Sequence, residues 1–142
     1  MAVVLLASDN ASLRAELRAT LEGPDLDIRE VLAGAAVRGA VEHDDVDLVI
    51  VDLQIGSMGG MAVTLDLRHE ESYGAVGHVP VLMLLDRRPD VFLARRSGAE
   101  GFVVKPLDPL TLRRAVRALL RGETFEDTAL TPATIRVAAN AE

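Results

Sequence analysis

Cysteine is absent from the 142-residue chain, so it has neither a disulfide framework nor a thiolate metal site. No apolar run comes near the ~20 residues that a membrane-spanning helix needs. The first residues also lack the basic stretch ahead of an apolar segment that marks a secretory signal. Together these absences predict a cytoplasmic protein with no membrane insertion. No Walker pattern and no G-x-G-x-x-G occurs, which leaves a nucleotide-binding enzyme without its usual signature. No helix-turn-helix region is visible, so direct nucleic-acid binding is not expected. Lysine is almost missing: Lys105 stands alone among fifteen Lys and Arg.

What is present is an alternation. Short apolar runs at 2–7, 47–52, 79–85 and 101–104 are too short for helices and read as strands, and 27–32 fits a further one. Between them lie helical patterns at 11–22, 35–43, 60–71, 89–97 and 109–121. The first of these places Leu13, Leu17 and Leu21 on one face. Gly23-Pro24, Gly98 and Gly122 supply stops. Five strands alternating with five helices imply an α/β fold with a parallel sheet covered on both faces. In such sheets ligands bind beyond the carboxyl ends of the strands. Residues 1–122 form this unit. Residues 123–142 read as a C-terminal tail without a strand-like run, either disordered or carrying a short helix over 132–140 that starts at Thr131-Pro132.

Three of the apolar runs end in charge. The first leads into Ser8-Asp9-Asn10, the third ends at Asp52, and the fifth ends at Lys105-Pro106. Arg and Lys differ as a planar fork differs from a point charge, so a chain that writes every other cation as Arg needs an ammonium at position 105. Two carboxylates and one ammonium at strand ends suggest an acidic metal site that handles a phosphoryl group. Plainer roles exist for each. Asp52 can cap a turn, Ser8, Asp9 or Asn10 can cap the first helix, and Lys105 can reach out to solvent. Asp86 reads as a loop acid without a role. His43, His69 and His78 have no ligand spacing and read as surface or packing residues.

With these residues in order, roughly 2–121 resembles the receiver domain of two-component response regulators. The resemblance is carried by Asp9 after the first strand, Asp52 after the third, Gly60 eight residues later, and Lys105-Pro106 after the fifth. It implies a flavodoxin-like (βα)5 doubly wound parallel sheet of strand order 2-1-3-4-5. It makes Asp52 the acceptor of a phosphoryl group from a sensor histidine kinase or phosphotransfer protein, and Lys105 the contact to a phosphoryl oxygen. Asp9, Asp52 and the main-chain carbonyl of Gln54 become the ligands of a weakly held Mg²⁺, an ion that suits one or two carboxylates plus waters and phosphate oxygens. The switch positions are Leu85 and Phe102.

The chain departs from the family pattern at four places. Ser8 replaces one acid of the usual pair. Leu85 stands where a hydroxyl residue is usual, and leucine cannot donate. Gly56 replaces a loop proline and is expected to loosen that loop. Phe102 lacks the hydroxyl of a switching tyrosine. The leading expectation is therefore an atypical stand-alone receiver, not an enzyme beyond its own phosphorylation and dephosphorylation at Asp52. The alternative is a pseudo-receiver that acts as a phosphorylation-independent interaction module. A small phosphatase or nucleotide-binding enzyme of the same architecture is a third class, and fold alone argues for no activity. Residues 86–122 carry nine Lys and Arg against four acids within a chain of net charge −7. The last two helices and the fifth strand are accordingly the expected face for a protein target or a homodimer.

Overall fold

The computed structural model of the chain describes residues 1–128. The helix expected at 132–140 lies outside the described residues. Five of the strands are β1 (Ala2–Ala7), β2 (Leu26–Val31), β3 (Leu48–Asp52), β4 (Val81–Leu85) and β5 (Gly101–Val104). The helices are α1 (Ala11–Leu21), α2 (Val37–Asp44), α3 (Gly60–Ser72), α4 (Val91–Ser97) and α5 (Pro109–Leu120). Single 3₁₀ turns at Gly34–Ala36 and Arg88–Asp90 lead into α2 and α4. A sixth strand, β6 (Phe125–Glu126), follows α5.

All neighbouring strands run parallel, in the order β2-β1-β3-β4-β5-β6. The expected order therefore holds, and one strand is added at its end. That strand lies in the segment past Gly122, read from sequence as a tail without strand character. Two residues cannot show a period of two, so hydropathy carried no sign of it.

Alternation along the central strands makes the fold doubly wound. In β3, Leu48 and Ile50 join Leu13, Leu17, Leu21, Leu112 and Leu119 on the face covered by α1 and α5. Val49 and Val51 join Val41, Val63, Leu67 and Ala94 on the face covered by α2, α3 and α4. Strand side chains point to opposite faces in turn, so a continuous apolar run is what two covered faces require. Each such side chain contributes about 1.5–3 kcal/mol on burial. Asn10 caps α1 by accepting from the Leu13 amide at 3.1 Å, and Asp108 caps α5 by accepting from Thr111 at 2.9 Å. Leu110, near the start of α5, is exposed.

Gly60 shows why a glycine opens α3. A Cβ there would lie 2.8 Å from the Asp52 carbonyl oxygen and from Leu53 Cα, closer than real Cβ contacts allow. The helix start is thus pressed against the end of β3, which holds the backbone under Asp52 in place.

Candidate functional site

Asp52 is the last residue of β3, and its ladder continues past it, with the Leu53 amide donating to Leu84 O at 3.0 Å. The side chain is 4% exposed. A carboxylate so deep needs donors around it, and three reach it among the described residues. Lys105 Nζ donates to Oδ1 at 2.9 Å, the Gln54 amide donates to the same oxygen at 3.2 Å, and Ser8 Oγ donates to Oδ2 at 3.2 Å.

Each donor arrives from a different strand end. Ser8 follows β1 and is itself buried. Its hydroxyl accepts from the Asn10 amide at 3.1 Å, and its carbonyl accepts from Arg14 Nη1 at 2.8 Å. Lys105 follows β5, its amide donating to Leu85 O at 2.8 Å, and its stem crosses the end of β4 to reach Asp52. Asp9 is exposed. Its Oδ2 accepts from the Gly56 amide at 3.1 Å, and because Asn10 is the cap, Asp9 is not used in capping α1.

The loop after β3 is tied rather than loosened at Gly56. Its amide is held by Asp9, and its carbonyl accepts from the Gly34 amide at 3.1 Å. A Cβ at 56 would lie 2.8 Å from Asp9 Oδ2. Close approach of the carboxylate, not looseness, is what glycine provides there. Ser57, next in the loop, has a positive φ of 66° and accepts from the Ala35 amide at 3.2 Å.

Asp86 joins the site although sequence reading gave it no role. Lys105 Nζ lies 2.9 Å from Asp86 Oδ1 as well, so one ammonium serves two carboxylates. The available signal was its place, one residue past the end of β4 at the same sheet edge. Burial pulls the Lys105 pKa down. The hydrogen bonds and charges of Asp52 and Asp86 outweigh it, and the net effect raises the pKa above its ordinary value of 10.5.

Leu85 and Phe102 lie in the apolar core rather than among the hydrogen-bond partners of Asp52. Leu85 is fully buried and Phe102 nearly so, in the same apolar cluster as Met83, Val104 and Ala94. Arg95 Cζ lies 5.9 Å above the Phe102 ring, a distance at which the ring face attracts a cation. The three histidines stand apart from Asp52. His69 makes an edge contact with Tyr73, and His78 lies between Glu71 and Glu100 at the opposite end of the sheet.

The oxygen donors expected from sequence are the carboxylates of Asp9 and Asp52 and the Gln54 carbonyl; Asp9 is exposed and Asp52 is buried. No group of three His, Cys, Asp or Glu able to hold a metal gathers among the described residues. Carboxylates suit Mg²⁺ in kind, since that ion binds through one or two of them while keeping several waters, and here Asp9 is the one open to solvent. The three donors on Asp52 already satisfy much of that carboxylate.

Comparison with known proteins agrees with this geometry. Residues 4–117 match the family model described as the response regulator receiver domain. A response regulatory protein of Mycobacterium tuberculosis is 34% identical over 125 residues, covering 84% of this chain and 91% of that protein. The DNA-binding response regulator MtrA of Mycobacterium leprae is also 34% identical over 125 residues, covering 87% of this chain but 53% of MtrA. Among solved structures, the chemotaxis response regulator CheY4 of Vibrio cholerae has a TM-score of 0.74 at 25% identity, covering 84% of this chain and 98% of that one. A LuxR-family response regulator from Aurantimonas has a TM-score of 0.76 at 21% identity, over 100% of this chain and 99% of that one, and shares the fold.

Proposed function

The chain belongs to the response regulator receiver domain family of two-component signal transduction, and from that premise we propose that it accepts a phosphoryl group on Asp52. The supporting observation is the Asp52 carboxylate at the end of the central strand, contacted by Ser8 from the end of β1 and by Lys105 from the end of β5. In the proposed step a carboxylate oxygen of Asp52 attacks phosphorus. The new P–O bond forms as the P–N bond of a phosphohistidine on a sensor kinase or phosphotransfer protein breaks, and the histidine nitrogen keeps the electron pair. Lys105 moves from the carboxylate oxygen to a phosphoryl oxygen and stabilises the charge gathering there. Asp9, Asp52 and the Gln54 carbonyl would hold Mg²⁺, which relieves repulsion between the carboxylate and the incoming anion. Beyond this self-modification the chain is not an enzyme in this reading.

Its output in this reading is through protein contacts in the cytoplasm. No helix among the described residues is long and apolar enough to cross a membrane. The target face is that of α4, β5 and α5, meeting a protein or a second copy. Leu85 offers phosphate no hydrogen bond, worth about 1.5–3 kcal/mol to a charged group, so phosphorylation changes the shape of the 85–105 region little.

The second reading is a pseudo-receiver, and one observation favours it: both oxygens of Asp52 already have donors, while Lys105 is divided between two acids. Incubation with a small phosphodonor and Mg²⁺, followed by intact mass, separates the two. Gain of one phosphoryl mass that Asp52→Asn abolishes is the expected result. No gain under conditions that modify a control receiver favours the pseudo-receiver. Mg²⁺ binding unaffected by both Asp9→Ala and Asp52→Asn excludes the proposed ligands.

A further inference from the structure

The segment after α5 completes a second arrangement on the far edge of the sheet. A parallel strand at a sheet edge leaves a row of unpaired N–H and C=O groups, a template for another strand. Here that row, on the outer side of β5, is occupied by the chain itself. The Phe125 amide donates to Glu100 O at 3.1 Å and the Asp127 amide to Phe102 O at 3.3 Å. The next donor on β5, the Val104 amide, is taken by the Asp127 carboxylate at 3.0 Å. A side chain there replaces the backbone carbonyl that a longer strand would bring. Asp127 is buried, so this is a seated contact.

The groove beside β5 matches that occupant residue by residue. Phe125 packs against the α5 side of the core. Gly101 makes room for it, since a Cβ there would lie 2.9 Å from Phe125 O and from Leu119 Cδ1. Glu126 is gripped by Arg95 at 3.2 and 2.6 Å, and Arg88 Nη2 donates to Asp127 O at 2.7 Å. Arg88 Nε is buried and has no acceptor among the described residues, so the groove has a donor that Phe125–Asp127 do not use.

We propose that β6 is an internal stand-in, and that the outer edge of β5 is a docking site for an extended segment of a partner protein reading apolar–acid–acid. Backbone hydrogen bonds give strand addition its affinity, and side-chain pockets give it specificity. The internal segment states what those pockets take: an aromatic or aliphatic residue over Gly101, an acid for Arg95, and an acid for the Val104 amide and the Arg88 corner. The internal segment is short enough to displace. It pairs with β5 over two residues, whereas β4 pairs over four, and its ion pair with Arg95 is exposed on both sides, where such pairs contribute little. A partner segment that extends further along the edge gains ladder bonds and an acceptor for Arg88 Nε. This inference stands whether or not Asp52 takes a phosphoryl group.

The test uses the full chain. Phe125→Lys, Glu126→Lys and Asp127→Lys together expel the internal segment, and a peptide of sequence Glu-Thr-Phe-Glu-Asp-Thr serves as the probe. Amide spectra should show the peptide moving the Phe102 and Val104 resonances of this variant. Binding should be at least ~tenfold tighter than to the natural chain, whose tethered segment competes at high effective concentration. Adding Arg95→Glu should remove the response. Equal binding to both chains, or no movement of Val104 in a variant with unchanged far-UV circular dichroism, overturns the proposal. So does a variant that pairs with its own copies and ignores the peptide. If the triple variant does not fold, hydrogen exchange in the natural chain decides. The Phe125, Asp127 and Val104 amides should exchange at least ~100-fold faster than Leu84, through opening of β6 alone. Exchange at the Leu84 rate would mean that the segment does not detach.

Discussion

Asp52 and Asp86 share one ammonium, each with an oxygen 2.9 Å from Lys105 Nζ. The two acids differ in depth: Asp52 is enclosed, and Asp86 lies at the surface with a side chain 36% exposed. Lys105 is therefore drawn outward by one carboxylate while it supports the other. A dianionic phosphoryl group approaching Asp52 meets the Asp86 charge as well, and Asp86 competes with it for the only lysine.

Asp86→Ala should accordingly speed phosphorylation of Asp52 by a small phosphodonor. An exposed pairing of this kind amounts to about 1 kcal/mol, or roughly fivefold in rate. Asp86→Asn should give a smaller gain, because the amide keeps the bulk and loses the charge. Mass-resolved time courses measure both. A rate lowered by Asp86→Ala would mean that Asp86 orients Lys105 rather than competing for it.

Lys105→Met should destabilise the fold, since it strips a buried carboxylate of its cation. Loss of one partner from a fully buried pair costs about 3–5 kcal/mol. Ser8 and Gln54 still donate to Asp52 here, so about 2–3 kcal/mol is expected in urea unfolding. The pH dependence follows from the raised Lys105 pKa. A cation held above its unfolded value of 10.5 contributes stability that is fully present below that value and is lost as pH rises through the folded value. The natural chain should thus lose stability above about pH 10, and Lys105→Met should show a shallower alkaline limb. Parallel limbs would place the alkaline transition elsewhere.

Leu85→Thr should divide stability from signalling. Leu85 is fully buried among Met83, Phe102 and Val104, so trading its apolar bulk for a hydroxyl should cost about 2–3 kcal/mol. The same change places a donor at the end of β4. Amide shifts over 85–105 on addition of a phosphate mimic should grow relative to the natural chain. Equal shifts in both chains would leave Leu85 without the proposed damping role.

Arg113, Arg114 and Arg117, all exposed on α5, should be replaceable by Glu together without loss of fold. The stability change should stay within about 1 kcal/mol, Arg113 losing only its bond to Thr20 O. Association with an acidic partner or a second copy should disappear. Recovery of the same partners with the triple variant would move the interface off α5.

Sequence reading succeeded where one residue type has one physical use. The apolar runs that became β3, β4 and β5 are buried on both faces, and Leu13, Leu17 and Leu21 form one helical stripe. A lone lysine before a proline marks its own strand end. Asp9, Asp52 and Lys105 do end up at one edge of the sheet, because parallel strands put all their carboxyl ends on the same side. Gly60 was noticed by its spacing, and its reason, a helix start against the Asp52 carbonyl, came from packing.

The rest depended on contacts between segments far apart in the chain. Gly56 looked like slack in a loop until Asp9, 47 residues away, was seen to need the space. Asp86 looked idle because its partner comes from the next strand. β6 has no hydrophobic period to read, and it exists because β5 ends the sheet with unpaired backbone groups beside two arginines. Local sequence determined the strands, the helices, the direction of the sheet and the family, since periodicity and chain connectivity act over a few residues at a time. Tertiary structure alone decided which carboxylates share Lys105 and what covers the edge of β5, because charge pairing and strand addition join groups that only the folded chain brings within hydrogen-bond distance.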